Sequence, residues 1–348
     1  MIKNASLPAL VALCLLLFSA CKKDKDRDYG SLAALEQSVT LPVIDSAKAM
    51  ALYAAVAAER TLLLNQLETD YPGLKAQMDY DAQQITQTDD SANRAALIQD
   101  FIASYEAQVT TSWNNSGLSI ATLTAKYAQV LGDLPFTVGP FGQVYTTQSA
   151  TAAVYQSPFP DDSLTTYGGT PLFNSDNNCA GIVISQNTHD EFINRVRMFS
   201  TTGGGCWTRN TGGATITVPS TSQYRHIHTR FEINRSWFEC ISWAVGGGSV
   251  AGAKLSVFAN KHSFGTPITR ELVAISAVAP LIWYAQVIHE IPSGTALEIA
   301  MPTEQPLYAG EYRAYVRTEN YVSTGGAITG THSECDFSKY RTLVRMIK

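Results

Sequence analysis

The sequence predicts an α+β protein, with an N-terminal helical segment that forms a hairpin or small bundle, followed by an all-β antiparallel sandwich or jelly-roll-like domain. Residues 31–131 are rich in Ala, Leu, Gln and Glu, which favour helices. Residues 179–348 instead consist of short strand-like segments that are separated by glycine- or proline-bearing turns. Five prolines interrupt the stretch between them, and proline stops helices and central strands. The predicted organisation is a signal peptide over 1–20, a tether over 21–30, a helical domain over 31–131, a Pro/Ser/Thr-rich linker over 132–178 and a β-sandwich domain over 179–348.

Helical spacing and capping residues place three helices in residues 31–131. The first begins near Asp45, continues to Leu67 and stops before a Tyr-Pro-Gly turn. A second follows the polar cap at 89–91, and a third runs from 119 to 131, where a glycine can end it. We expect their apolar faces to pack on one another, so we interpret this segment as a spacer rather than a cofactor-binding domain.

The C-terminal half contains many short β-like segments with no helical pattern between them, which is typical of an antiparallel sandwich or jelly roll. No repeat of fixed period is present that would indicate a propeller or solenoid. The predicted strands are 181–185, 191–199, 214–218, 224–233, 237–245, 253–260, 272–278, 281–291, 296–300, 311–318 and 340–347.

The first 26 residues indicate where the protein resides. Lys3 precedes an apolar run over 7–18, which has the outline of a secretory signal and is too short for a permanent membrane-spanning helix. The run ends in Phe18-Ser19-Ala20-Cys21, which resembles the lipobox of bacterial lipoproteins, although Leu, Val or Ile is commoner than Phe at the first position. The resemblance implies cleavage before Cys21 and acylation of that cysteine, for instance with palmitate. Two or three acyl chains make a stable membrane anchor.

The charged residues 22–26 that follow resemble the export tag of lipoproteins that some Gram-negative bacteria place on the cell surface. A charge run next to an anchor is also typical of a solvated tether. The resemblance implies a protein of the cell envelope, anchored to the outer membrane, and it leaves open whether the protein faces the periplasm or the exterior.

The composition of the chain limits the classes of partner that it can bind. The chain has 348 residues with 45% hydrophobic residues, enough for a sizeable core and for two domains, and only 16% are charged. A formal net charge of −5 provides no broad basic surface, so no nucleic-acid partner is expected.

Four cysteines remain in the mature chain besides Cys21, because Cys14 leaves with the signal peptide. An exported protein with an even number of cysteines is expected to form disulfides, and no close pair suggests a zinc or redox motif. We therefore predict two disulfides, with a slight preference for Cys179–Cys206 and Cys240–Cys335; free buried thiols are the alternative.

Two strand faces carry candidate ligand-binding residues. Alternation over 224–233 places five polar or aromatic residues on one side of a strand: Tyr224, His226, His228, Arg230 and Glu232. A His-x-His pair can chelate a metal, but no third ligand can be assigned, so neither a metal site nor another cofactor is predicted. The alternative is a solvated sheet face.

The second face consists of Arg313, Tyr315 and Arg317, opposite the inward Tyr312, Ala314 and Val316. A tyrosine ring offers an apolar platform and a guanidinium offers a planar set of donors, which suits carbohydrate or peptide binding. An ordinary sheet surface would have the same pattern.

The sequence contains no nucleophile elbow, no His-Glu-x-x-His motif and no P-loop. The leading hypothesis is therefore a noncatalytic binding or adhesion protein, with a glycan or protein ligand held by the β-sandwich. One alternative is a carbohydrate-active hydrolase, because two of its carboxylates could converge in a groove; the other is a purely structural envelope component. The carboxylates considered are Asp161, Asp162, Glu232, Glu239, Glu290 and Glu298.

Overall fold

The computed structural model describes most of the chain beyond its first 36 residues. The described ranges are 37–88, 90–150, 170–179, 182–187, 191–200, 203–218, 226–245, 247–261, 266–301, 308–326 and 329–347. The predicted signal peptide, the tether with Cys21, and Tyr224 lie outside these ranges. None of the helices in them is long and apolar enough to span a membrane.

The helical segment contains five helices in the described ranges. They are α1 (Ser46–Ala55), α2 (Ala57–Asp70), α3 (Leu74–Gln87), α4 (Ser91–Ser116) and α5 (Ile120–Leu131). Asp45 and Asp90 cap α1 and α4 as the sequence predicts, because each side chain accepts a hydrogen bond from the backbone N–H three residues later. The end of α5 also follows the prediction, since it stops at Gly132; α4 stops at Gly117, an end that was not predicted.

Two helical details differ from the prediction. The helix predicted from Asp45 to Leu67 is divided at Val56, where the buried Arg60 donates from Nη1 to the Tyr53 carbonyl at 3.0 Å and to the Pro280 carbonyl at 3.2 Å. The break leaves the Tyr53 carbonyl free to accept from Arg60, whereas in a continuous helix it would accept a backbone N–H from the next turn. Helix α3 was not predicted, because its sequence is mostly polar; its buried apolar residues are Met78, Ala82 and Ile85.

The β domain consists of two antiparallel sheets, which confirms the predicted fold class. One sheet has the order β1-β2-β9-β8-β12-β6-β3; the other has the order β10-β7-β13-β5-β4, with β11 also paired to β7. The strands are β1 (Thr137–Val138), β2 (Val144–Ser149), β3 (Thr170–Cys179), β4 (Ile182–Asn187), β5 (Glu191–Ser200), β6 (Gly204–Val218), β7 (His226–Val245), β8 (Gly247–Lys261), β9 (Ile268–Ala279), β10 (Ile282–Ile291), β11 (Ala296–Ala300), β12 (Gly310–Gly326) and β13 (Thr329–Ile347).

The segment 132–178 is not a linker throughout. Strand β2 pairs with β9 inside the seven-stranded sheet, and β3 forms the far edge of that sheet on β6. Pro171 lies in β3, and an edge strand tolerates proline because one of its sides makes no ladder hydrogen bonds. Proline density therefore did not predict the pairing of these two strands.

Strand β7 is one 20-residue strand where the sequence predicted two. Its inward residues are odd-numbered up to Ile233 and even-numbered from Phe238, and the pairing with β13 shifts register between Ser338 and Arg341. Such a bulge interrupts the simple alternation from which strands are recognised in sequence. The core between the sheets is apolar on both sides, with side chains from nine of the strands, among them Phe192, Phe231 and Phe337.

The helices share a second core with the sandwich. Phe101 of α4 packs edge-on against Trp243 of β7 at 4.5 Å and lies 5.0 Å from Trp283 of β10, between ring centroids. Helix α1 packs on β8 and β12, and α3 packs on β5, β7 and β13. The helical segment thus covers part of the β domain, rather than serving only as a spacer.

One of the two predicted disulfides is present. Cys179 and Cys206 are directly opposite in the β3–β6 ladder, with a Cα–Cα distance of 4.4 Å, and they are bonded. The prediction of a Cys240–Cys335 bond is wrong: both are free buried thiols, called the core thiols below. In the β7–β13 register Cys240 is opposite Ser333, so Cys335 is its diagonal neighbour. Diagonal neighbours lie about 7–8 Å apart, beyond the roughly 6.8 Å that a disulfide bridges.

Candidate ligand-binding cleft and neighbouring polar clusters

A cleft of about 410 Å³ opens on the outer face of the six-stranded sheet, beside the bulge in β7 and β13. Ligand sites in proteins typically occupy some 300–1,000 Å³. The lining is mixed, with polar residues around an indole and two aliphatic side chains. The residues that line the cleft are Asn234, Arg235, Ser236, Trp237, Glu290, Ile291, Pro292, Ser293, Glu334 and Asp336.

Three adjacent strands set the centre of the cleft. Trp237 of β7 is directly opposite Glu290 of β10 on one side and Asp336 of β13 on the other. Residues directly opposite in a ladder share a face, so a half-buried indole lies between two carboxylate-bearing positions. Two strand spacings separate those positions, or about 10 Å between backbones. An apolar ring flanked by hydrogen-bonding groups suits a ligand that has both apolar faces and hydroxyl edges.

Two further groups shape the cleft wall. Arg235 donates from Nη2 to Asp336 at 2.6 Å, which orients that carboxylate. The Ser236 hydroxyl is buried and has no hydrogen-bond partner among the described residues. A buried hydroxyl of this kind normally finds a partner in water or a ligand.

Glu334, which also lines the cleft, belongs to a buried ion network. Its Oε1 accepts from Arg195 at 2.5 Å, and its Oε2 accepts from Arg94 of α4 at 3.0 Å and lies 3.1 Å from His332 Nε2. Burial alone would raise the pKa of Glu334, but the hydrogen bonds from His332 and Arg195 outweigh burial and lower that pKa to about 2. Glu334 is therefore ionised at neutral pH.

Arg94 joins this network to Glu239. Its Nε and Nη2 donate to Glu239 Oε2 at 3.1 and 2.6 Å, and Gln286 donates to Glu239 Oε1 at 2.7 Å. Burial lowers the pKa of His332, which is then neutral. With two arginines and two glutamates, the network carries no net charge.

The ligand atoms of Glu239, His332 and Glu334 lie within 4.8 Å of one another, close enough to hold a metal ion. The guanidinium of Arg94 already donates to both carboxylates, with distances of 2.6 and 3.0 Å from Nη2. A metal would have to displace this buried cation, so we assign the cluster to ion pairing rather than to metal binding.

The first predicted face becomes a buried cluster rather than an open site. His228 lies with Nε2 3.4 Å from Glu298 of β11, and Arg230 lies between Glu232 and Glu298, at 3.2 and 3.6 Å. His228, Glu232 and Glu298 are each 4% exposed. The prediction that His228 and Arg230 share a face is confirmed; His226 is described only as a backbone position of β7, opposite Ile347. Asp161 and Asp162 lie outside the described residues.

The second predicted face is half-exposed on the seven-stranded sheet. Arg313, Tyr315 and Arg317 of β12 point away from the core, and Phe258 of β8, which was not predicted, stacks on Tyr315. The two predicted faces lie on different sheets, so they do not form one site.

The cleft itself was not predicted. Glu290 and Glu239 were listed as carboxylates, but Trp237, Glu334 and Asp336 were not singled out. Alternation does place Trp237 and Glu239 on one face of β7. What the sequence does not contain is the ladder register that brings Glu290 and Asp336 beside Trp237.

Comparisons with known proteins do not identify the chain. No protein-family model matches the sequence, and no curated protein gives a significant match. The enzymatically active domain of tailspike protein 4 from bacteriophage CBA120 is similar with a TM-score of 0.17 and 11% identity, over 50% of this chain and 19% of that chain. TmCBM61, in complex with β-1,4-galactotriose, is similar with a TM-score of 0.16 and 12% identity, over 49% of this chain and 88% of that chain. This chain thus spans about a fifth of the tailspike domain's length, and likenesses this weak carry no argument about fold or function.

Proposed function

We propose that this chain is a noncatalytic, envelope-anchored binding protein whose β-sandwich holds a neutral saccharide in the cleft around Trp237. The observation that carries the proposal is the row Glu290–Trp237–Asp336 inside a concave site of about 410 Å³. The apolar C–H face of a sugar ring can stack on the indole, while its hydroxyl groups can donate to the flanking carboxylates.

The charges of the cleft support binding rather than hydrolysis. Glycosidic cleavage requires one protonated carboxyl group as the general acid. Glu334 is ionised, since its pKa is lowered to about 2, and Asp336 is held in an ion pair by Arg235. Of the three carboxyl groups in the lining, only Glu290 is left to supply that proton, and its side chain is exposed.

The anchor is proposed on the lipobox resemblance. Acylation at Cys21 would attach the chain to the outer membrane, and residues 22–36 would connect it to the part of the chain that the structure describes. A glycan of the envelope or of the surroundings would then be within reach of the sandwich.

Glycan-array screening of the purified chain from Lys22 onward tests the proposal, with Trp237→Ala as the cleft variant. We expect the wild type to bind a set of neutral glycans and the variant to bind them at least about tenfold more weakly, as is common when a central tryptophan is truncated. Tyr80→Ala is the matched control, because Tyr80 is an exposed aromatic residue on α3. If Trp237→Ala binds as well as the wild type, or if no neutral glycan binds, the assignment of the cleft as the binding site is refuted. Appearance of reducing ends from a bound glycan would instead support the hydrolase.

A further inference from the structure

The outer face of the seven-stranded sheet carries a compact aromatic and cationic surface, here called the arginine–tyrosine face: Phe258, Arg313, Tyr315 and Arg317. The rings of Phe258 and Tyr315 are stacked, with centroids 4.9 Å apart and planes 7° from parallel. The guanidinium carbon of Arg317 lies 4.4 Å from the Phe258 centroid and 5.5 Å from the Tyr315 centroid. Packing on both rings fixes the position of this cation.

Arg317 differs from the neighbouring basic residues, because each of those lies beside a carboxylate. Arg209 pairs with Glu319, Arg313 lies 3.4 Å from Glu311, and Lys254 pairs with a glutamate of β9. Arg317 donates from Nε to the Thr211 hydroxyl at 3.4 Å, and within the described ranges its guanidinium pairs with no carboxylate. The face therefore presents one positioned, uncompensated cation on a chain whose net charge is −5.

The two sides of Tyr315 have different neighbours. The position opposite Tyr315 on β6 is Gly213, whereas the position opposite it on β8 is Phe258. Because glycine has no side chain, β6 places no side chain against Tyr315 at the directly opposite position. A Cβ at Gly213 would overlap the Tyr315 backbone and Cβ, so the strand approach itself requires glycine there.

We infer that the arginine–tyrosine face is a second binding site, which takes an acidic saccharide. The sugar ring would stack on Tyr315 from the side of Gly213, and a carboxylate or sulfate on that ring would accept from the guanidinium of Arg317. An acidic peptide fits less well, because it would need a row of free cations and the other basic residues of the face are compensated. This inference concerns the opposite sheet and does not depend on the cleft.

The test uses a panel of uronate-containing and sulfated oligosaccharides, each with its methyl-esterified or desulfated counterpart, and the purified chain from Lys22 onward. Titration calorimetry should show the charged form binding at least about tenfold more tightly than its neutral counterpart, with affinity that falls as salt is added. Arg317→Met, which keeps an apolar stem over Phe258, should remove this preference. Arg317→Lys should retain part of it, and Tyr315→Ala should weaken both forms.

The controls separate the two sites and the two ligand classes. Trp237→Ala should leave acidic-saccharide binding unchanged, and unchanged melting curves should show that the variants are folded. The inference fails if no charged oligosaccharide binds, if Arg317→Met binds like the wild type, or if polyglutamate binds as tightly as the saccharide. The last result would assign the face to acidic peptides.

Discussion

Replacement of Arg94 by methionine tests the buried ion network most directly. The Arg94 side chain is fully buried and donates to Glu239, to Glu334 and, at 3.0 Å, to the Thr88 carbonyl. In Arg94→Met, Glu239 keeps the Gln286 amide as a partner and Glu334 keeps Arg195 and His332, but one buried negative charge is no longer balanced. Removing one partner of a buried ion pair typically costs about 3–5 kcal/mol. We expect a loss of that size in the free energy of unfolding, measured by urea denaturation at pH 7.

The contribution of Glu334 to the free energy of unfolding depends on pH. Glu334 has a folded pKa of about 2 against an ordinary value of 4.5, so its contribution is fully present above pH 4.5 and is lost as the pH falls toward 2. The difference corresponds to about 3 kcal/mol. In Arg94→Met, protonation relieves the uncompensated charge. The gap in stability between wild type and variant should therefore narrow as the pH falls from 7 to 3.

Two further variants complete the experiment. Arg209→Met removes an arginine from a half-exposed ion pair with Glu319 and should cost no more than about 1 kcal/mol. Arg94→Met combined with Glu239→Gln removes the charge imbalance and should recover part of the loss. A cost below about 1 kcal/mol for Arg94→Met at pH 7, or a gap that widens toward low pH, would show that the network does not stabilise the fold in this way.

Other expectations follow from the same structure. Cys21→Ala should abolish incorporation of labelled palmitate, and label that stays on the chain would place the lipid elsewhere. Replacing Cys179 and Cys206 together by serine should lower the unfolding free energy by about 3 kcal/mol, since the bond spans 27 residues; a change below about 1 kcal/mol in urea denaturation would contradict this. A fragment from residue 175 onward lacks β2 and the helices and should show no cooperative thermal melt, whereas a sharp one would make the β domain independent. The core thiols should resist iodoacetamide in the native protein and react on unfolding, because burial raises the pKa of both. Alkylation of either thiol in the native protein would contradict this expectation.

Local chemistry was readable from the sequence, and long-range pairing was not. Asp45 and Asp90 mark helix starts because a capping carboxylate acts within three residues of its own position. Arg313, Tyr315 and Arg317 share a face because alternation is a property of a single strand. The prediction for the core thiols failed because a disulfide depends on register between strands, which alternation does not specify.

The cleft could not be predicted from the sequence for the same reason. Its centre requires β10, β7 and β13 to be neighbours, and its opening lies where the inward residues of β7 change from odd to even. A one-residue irregularity of this kind turns side chains toward a new face, which is why bulges recur beside binding sites. In the sequence, the same irregularity reads as a break between two strands.

The position of Glu334 links the cleft to the helices. This carboxylate lines the cleft and also accepts from Arg94 of α4, so any change in α4 that releases Glu334 alters a wall of the cleft. If ligand binding and the seating of α4 are coupled, each must favour the other by the same free energy. Arg94→Met should therefore weaken binding in the cleft as well as lower stability, while Arg209→Met should leave binding unchanged. Equal affinities for Arg94→Met and the wild type would show that the helices support the fold without shaping the site.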